Sequence, residues 1–377
     1  MTSRKCPKQQ PAPSVMSPCC LIMCALSAAP IRARPSFKLK RVSMKIAVDA
    51  MGGDNAPEVV VQGALEAASK FGIHVILVGH EALISGLAGT RTADTLVSIH
   101  HCEDVVAMDE SPLKALRKKK DSSIRVAFDL AKEGRADAVI SAGNSGATLA
   151  AGVLALGRIS GVERPAIASI VPTEKGPVIL IDAGANVDCR PGQLFQFGVM
   201  AHAFGSSCLD MKTPEIALLN IGEEGSKGNE LVRYAYDLFE KSTLNFVGNI
   251  EGRDLLTGDV KIIVCDGFVG NVALKLTEGT AESMARLMKR ELNRSFAGRI
   301  AFFLGRKAFS RFARELSYEE YGGAPLLGVK GIGIICHGGS SAKAICNAVN
   351  MAAQYAQNRT VEKMSLELKS YNLEQGL

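Results

Sequence analysis

The stretch ADAVISAGNSGATLAAGVLALG, residues 136–157, decides the fold. Its apolar opening predicts a strand over 136–143. Gly143, Asn144, Ser145 and Gly146 follow, the residue types of a tight turn and a helix cap. From Ser145 to about Gly157, an apolar, alanine-rich run predicts a helix. A strand, a Gly/Asn loop and a helix in succession form the repeating piece of a parallel sheet flanked by helices.

The same piece recurs in both directions. Upstream, KIAVDA (45–50) predicts a strand, followed by a Gly/Asp loop and a helix over 57–71. HVILVG (74–79) and LVSIHHC (96–102) predict two further strands, and 122–134 a helix opening on Ser122 or Ser123. Downstream, VILIDAG (178–184) leads to a helix over 190–204 and EIALLNIG (215–222) to one over 229–241. VKIIVCDG (260–267) leads to a helix over 271–292, and GIGIICHG (331–338) to a last long helix over 340–357. Near-continuous apolar runs such as VILI and IIVC fit strands buried on both faces. Residues after about 360 are polar, and a fraying tail is expected over 359–377. The class is α/β with a mostly parallel sheet.

The chain has 377 residues with 44 basic and 38 acidic side chains, but the basicity is uneven. Residues 1–43 hold eight Lys/Arg, no Asp or Glu, six of the 14 Pro and four of the ten Cys. Setting that segment aside leaves 36 basic against 38 acidic groups, so the basic balance gives no support to nucleic-acid binding. Three readings of 1–43 stay open: a secretory signal around CCLIMCALSAA (19–29), a transit peptide, or a start placed too early with Met44 the true one. Each puts the segment outside the fold, and the clean strand beginning at Met44 favours the third. No run of 18 or more apolar residues predicts a membrane span. Cys102, Cys189, Cys208, Cys265, Cys336 and Cys346 show no C-x-x-C spacing and read as reduced thiols of a cytosolic protein. His100, His101 and Cys102 alternate faces on a strand and cannot converge on one metal.

Six strand ends share a composition rich in Gly, Asn and Ser: 49–57, 141–147, 182–188, 220–230, 266–272 and 337–343. Glycine allows close backbone approach, and N–H groups at a helix N-terminus favour an anion. Ligands of parallel sheets bind beyond the carboxyl ends of the strands. The six loops are therefore expected at one topological end, around one polar cleft for a phosphate-type substrate. Candidate ligands are Asp49, Gly52, Gly53, Asp54, Gly143, Asn144, Ser145, Gly146, Asn186, Asn220, Glu223, Asp266, Lys275 and His337. Lys227 precedes the helix opened by Asn229, where its charge opposes the helix dipole. Asn271 either caps the next helix or holds an oxyanion. The fingerprints G-x-G-x-x-G after the first strand and G-x-x-x-x-G-K-[ST] are both absent, which disfavours an NAD-linked dehydrogenase and a P-loop enzyme.

Two basic runs stand apart. KALRKKKDSS (114–123) is either a solvated face or a site for an anionic partner. Residues 289–314 hold eight Lys/Arg and one acid, Glu291, with Phe296, Ile300, Phe303 and Leu304 at helical spacing and Phe309, Phe312 and Leu316 beyond. This predicts a basic amphipathic helical segment over 289–316, which either lies on an anionic membrane or packs on the core or a dimer partner. Phe296, Arg299, Ile300, Phe302, Phe303, Arg306, Lys307, Phe309 and Arg311 are its candidate contacts with membrane or carrier.

Over about 44–358 the motifs DAMGGD (49–54), RKKKDSS (117–123), SAGNSGA (141–147), DAGANVD (182–188), LLNIG (218–222), KGNE (227–230), GNIEGRD (248–254), DGFVGNV (266–272) and YGGAPLLG (321–328) occur in one order. In this the chain resembles the bacterial phosphate acyltransferases of phospholipid synthesis, the PlsX family. Ser145 stands where the family usually has Thr, and HGGSS where HGSS is usual; residues 1–43 have no counterpart. The resemblance implies a three-layer α/β/α fold like that of phosphotransacetylase and isocitrate dehydrogenase. It implies transfer of a fatty acyl group from acyl carrier protein to inorganic phosphate, with no cofactor and no metal. It also implies a homodimer bound peripherally to the cytoplasmic membrane, supplying an acyl-phosphate-using glycerol-phosphate acyltransferase. The family's functional lysine and asparagine fall on Lys227 and Asn271, the expected catalytic pair. Two rivals remain: a phosphotransacetylase using acyl-CoA, and a non-enzymatic scaffold of lipid-synthesis enzymes.

Overall fold

The computed structural model describes residues 44–90, 95–315 and 318–375. The 1–43 extension, residue 316 at the end of the basic segment and residues 376–377 of the tail lie outside the described residues.

Eleven strands form one sheet in the order β3-β2-β1-β4-β11-β10-β5-β6-β9-β7-β8. They are β1 (Lys45–Asp49), β2 (His74–Gly79), β3 (Val97–His101), β4 (Ala138–Ser141), β5 (Ala166–Thr173), β6 (Gly176–Ile181), β7 (Ile216–Asn220), β8 (Phe246–Glu251), β9 (Ile262–Val264), β10 (Ala324–Leu327) and β11 (Gly333–Ile335). Helices cover both faces, because the strands are apolar on both. Ile46, Val48, Ile140, Ile179 and Leu218 face one layer; Ala47, Val78 and Val139 face the other. On the first side lie α1 (Glu58–Phe71), α6 (Pro191–Cys208), α7 (Glu230–Glu240), α11 (Ala342–Gln357) and α12 (Thr360–Gln375). On the second lie α3 (Pro112–Lys118), α4 (Ser123–Lys132), α5 (Ser145–Leu156) and α8 (Gly267–Asn293). The short α2 (Glu81–Ala88) packs against α1 and β3. Two more helices, α9 (Phe296–Leu304) and α10 (Arg306–Glu315), extend from α8.

The sheet is mostly parallel, as expected, with one departure that matters for the site. β10 is antiparallel to both β11 and β5, and β5 is antiparallel to β6. β6, β9, β7 and β8 are parallel to one another but run opposite to β1, β4 and β11. The six polar loops therefore do not share one topological end, which corrects that expectation. Strands β5, β8 and β10 are not among the strands expected from the sequence.

The polar tail is also corrected. Instead of fraying, α12 packs on α6. Met364, Leu368 and Tyr371 recur at helical spacing and are buried. Tyr371 and Thr243 share a hydrogen bond at 2.9 Å, and His202 meets Glu367 at 2.5 Å.

Candidate active site

Two buried carboxylates organise the polar loops. Asp49, at the end of β1, accepts from the Ser141 hydroxyl at 2.7 Å and from the Met51 N–H. Ser141 in turn accepts from the Gly143 N–H at 3.0 Å. A side chain at Gly52 would run into Asp49 and the backbone of Gly143, so only glycine lets these loops meet. Asp54 closes the group by donating its N–H to the Gly338 carbonyl. Loops 49–54, 141–146 and 337–341 thus form one cluster.

Asp182 organises a second cluster at the opposite strand ends. It is fully buried and accepts from the N–H groups of Ile167, Gly184, Ala185 and Asn186 and from the Asn186 amide. Gly267 donates its N–H to the Asn186 carbonyl, and a side chain at Gly270 would strike the carbonyl of Asp182. Desolvation raises Asp49 and Asp182 above the usual carboxylate range, against the hydrogen bonds that favour their anions.

The clusters meet in a groove of about 320 Å³ between the N-terminal end of α5 and the first turns of α8. Ser145 and His337 come to it from the first cluster, Gly184, Asn271 and Lys275 from the second. Its floor is Ile167 and Ser169 of β5 with Ile335 and Cys336. Asn271 sits one turn into α8, so its amide is not the cap; that role belongs to Asp266, which accepts from the N–H groups of Phe268 and Val269. The Asn271 side chain is exposed and makes no hydrogen bond among the described residues. Lys275 pairs with Glu278 at 2.8 Å, one turn further along. Nδ1 of His337 accepts from the Gly339 N–H at 3.1 Å, which fixes the ring at the groove's edge. Burial pushes the Cys336 thiol up to about 12, so it is no nucleophile at neutral pH.

Other candidates serve the scaffold. Asn144 caps α5 by accepting from the Ala147 N–H and donates to the carbonyls of Met108 and Glu110. Asn186 is buried and donates to the Pro165 carbonyl. Lys227, Asn220 and Glu223 form a separate group at the end of β7 and are not among the groove's lining residues. Asn220 donates to the Lys227 carbonyl, and Asn249 donates to that of Glu224. Glu223 is exposed beside Arg253. Among the described residues, two buried polar atoms lack partners: the Asn249 amide oxygen, beside the Lys227 loop, and the Ser340 hydroxyl, at the start of α11. Asp182 and Ser340 lie in the loops 182–188 and 337–343 but are not among the candidate ligands expected from the sequence. A carboxylate followed by small residues at a strand end is the signal for the first; nothing in the sequence marks the second.

On α9 and α10 the basic and aromatic residues separate into outward groups. Phe296, Phe303 and Leu304 are 74, 75 and 77% exposed. Phe302 instead packs against Phe309, the rings tilted by 32° with centroids 5.4 Å apart, joining the two helices. Arg299, Arg306, Lys307 and Arg311 make no ion pair among the described residues.

The fold is thus an open α/β/α sheet with an amide, an ammonium and an imidazole gathered at the seam of two half-sheets, the furniture of an α/β group-transfer enzyme. The fold is similar to that of a phosphotransacetylase from Streptococcus pyogenes, with a TM-score of 0.57 at 19% identity, covering 84% of this chain and 94% of that one. At that identity the likeness concerns the fold alone.

Residues 44–363 match the fatty acid synthesis protein family, and the chain belongs to it. It is 54% identical over 321 residues to the phosphate acyltransferase of Nitratidesulfovibrio vulgaris (strain DP4), covering 85% of this chain and 93% of the relative. It is 50% identical over 327 residues to that of Geotalea daltonii, covering 86% and 94%. The chain is an acyltransferase, and its family supports acyl transfer to phosphate. The resemblance read from the motifs is borne out, and the scaffold alternative falls away.

Proposed function

We propose that the enzyme transfers a fatty acyl group from acyl carrier protein to inorganic phosphate, giving an acyl phosphate for phospholipid synthesis. The observation that carries this reading is the groove joining Asn271, Lys275, Ser145 and His337 beside an apolar floor. Phosphate has a second pKa of roughly 6–7, like other phosphoryl groups, and is already an anionic nucleophile. One of its oxygens attacks the thioester carbonyl carbon. The carbon–sulfur bond then breaks, and the thiolate leaves and takes up a proton; a thiol pKa of about 8.5 makes it a good leaving group. The protein's task is to align the two reactants and stabilise the oxyanion. Asn271 donates its amide to the oxyanion, Lys275 neutralises phosphate, and Ser145 and His337 orient it. Lys227, the family's functional lysine, acts from the neighbouring loop on the same charges.

The exposed Phe303 and Leu304 with Arg299, Arg306 and Lys307 suit an anionic bilayer surface, so the enzyme works at the cytoplasmic face of the membrane as a peripheral protein. Exposed Phe268, Val272, Leu276 and Met284 on α8 suit a second copy of the chain, so the working form is a homodimer. Release of the acyl phosphate there supplies a glycerol-phosphate acyltransferase. Phosphate-dependent thiol release from a long-chain acyl carrier protein tests the assignment. Asn271→Ala and Lys227→Met should each cut turnover by about tenfold or more with an unchanged fold. Near-normal turnover in Asn271→Ala removes the groove from the mechanism, and in Lys227→Met it removes that lysine.

A further inference from the structure

We infer that α3 and the loop before it are the docking platform for the acidic protein that presents the acyl thioester, set at the rim of the catalytic groove. This rests on the donor reading above and locates where that donor binds.

The placement comes first. The loop leading into α3 is fastened to the groove's own polar loops. The Asn144 amide donates to the carbonyls of Met108 and Glu110 at 2.8 and 3.2 Å. Pro112 closes so tightly on Gly146 that a β-carbon there would lie 2.8 Å from the proline ring. Met108 reaches Gly338 in the same way. The segment 108–112 therefore adjoins the residues beside Ser145 and His337 in the chain, the two groups that the first cluster gives to the groove.

The chemistry of the surface comes second. Residues 114–120 carry five basic side chains and no acid. One of them, Lys119, is spent on the fold: it pairs with Glu110 at 2.7 Å and donates to the Val105 carbonyl. Lys114, Arg117, Lys118 and Lys120 make no ion pair among the described residues. Positions 114, 117 and 118 are three and four apart, so they share one face of the helix. Beside them Met108 and Leu113 are 45% and 53% exposed. Two apolar side chains within a group of free cations give a site with both steering charge and area to bury.

Rigidity comes third. The Lys119–Glu110 pair bridges the loop to the end of α3, and Arg125 of α4 donates to the Leu116 carbonyl at 3.0 Å. The platform is preformed, which lowers the ordering cost of docking. The basic segment on α9 and α10 lacks the first feature: it extends from the far end of α8, away from the groove's lining residues. The α3 surface takes the acidic protein donor, with charge drawing it in and the groove rim receiving its thioester arm.

The test compares wild type with Lys114→Glu/Arg117→Glu/Lys118→Glu, using a fluorescent acyl carrier protein for Kd and phosphate-dependent thiol release for kcat and KM. Kd and KM should rise by about tenfold or more in the triple variant, with kcat at saturating carrier held within about twofold. The wild-type Kd should weaken with added salt and the variant's should not. The milder Lys114→Gln/Lys118→Gln should raise Kd by roughly threefold, which covers the case in which the triple variant fails to fold. An unchanged Kd in both variants overturns the inference. So does a loss of binding to anionic phosphatidylglycerol vesicles with carrier Kd unchanged, which would assign α3 to the lipid surface. A wild-type enzyme that ignores the carrier yet consumes a small acyl thioester would overturn the donor reading itself, before any substitution is made.

Discussion

Asp182 offers no surface to solvent, yet four backbone N–H groups and one side-chain amide converge on its carboxylate. It fixes the 184–186 turn, whose Gly184 lies against the Asn271 side chain at the groove. In Asp182→Asn the new NH2 must confront donors from Asn186. Chemical denaturation should show a loss of about 2–4 kcal/mol, since buried donors are left unpaired. Stability unchanged within about 0.5 kcal/mol would contradict that account. At this scale the sequence was informative about residue types and less about roles. Asn144 and Asp266, candidate ligands by composition, both cap helices, and a cap and a ligand demand the same short polar side chain at the same strand end. Asn271 was open between those two roles, and its place one turn inside α8 separates them.

Among the elements, α12 departs furthest from what its composition suggests. Its composition is polar, but Met364, Leu368 and Tyr371 repeat at four and three residues, a stripe sufficient to dock on α6. Leu368→Ala should cost about 2–4 kcal/mol in denaturant unfolding, as for other buried leucines. A cost near zero would return α12 to the status of a loose tail. The strands β5 and β10 were missed for another reason. β10 has four residues, and β5 carries Pro172 with Pro165 just before it, so neither shows a clean period. The α9–α10 pair was legible from its spacing of Phe and Arg, yet the side chains sort differently from what spacing alone gives. Phe302 and Phe309 face each other, whereas Phe303 and Leu304 face out. Flotation with anionic liposomes should therefore fall by about tenfold or more in Phe303→Ser/Leu304→Ser. Undiminished flotation would exclude insertion of this helix pair.

For the molecule as a whole, the decisive feature is the reversal at β10, β5 and β6. Strand order and direction are set by pairing between distant segments, which periodicity along one chain does not encode. The loops were recognisable from their Gly, Asn and Ser content; which of them share a site was not. The reversal sends the loops after β4 and β11 to one end of the sheet and the loops after β6 and β9 to the other. α5 and α8 then bring Ser145 and Asn271 back to a single groove. If this groove joins an acyl thioester to phosphate, thiol release from purified long-chain acyl carrier protein, measured with and without phosphate, reads that reaction itself. Release should rise with phosphate to saturation, with acyl phosphate formed mole for mole, and fall to background without it. Release at the same rate in the absence of phosphate, or free fatty acid as the product, would contradict that assignment.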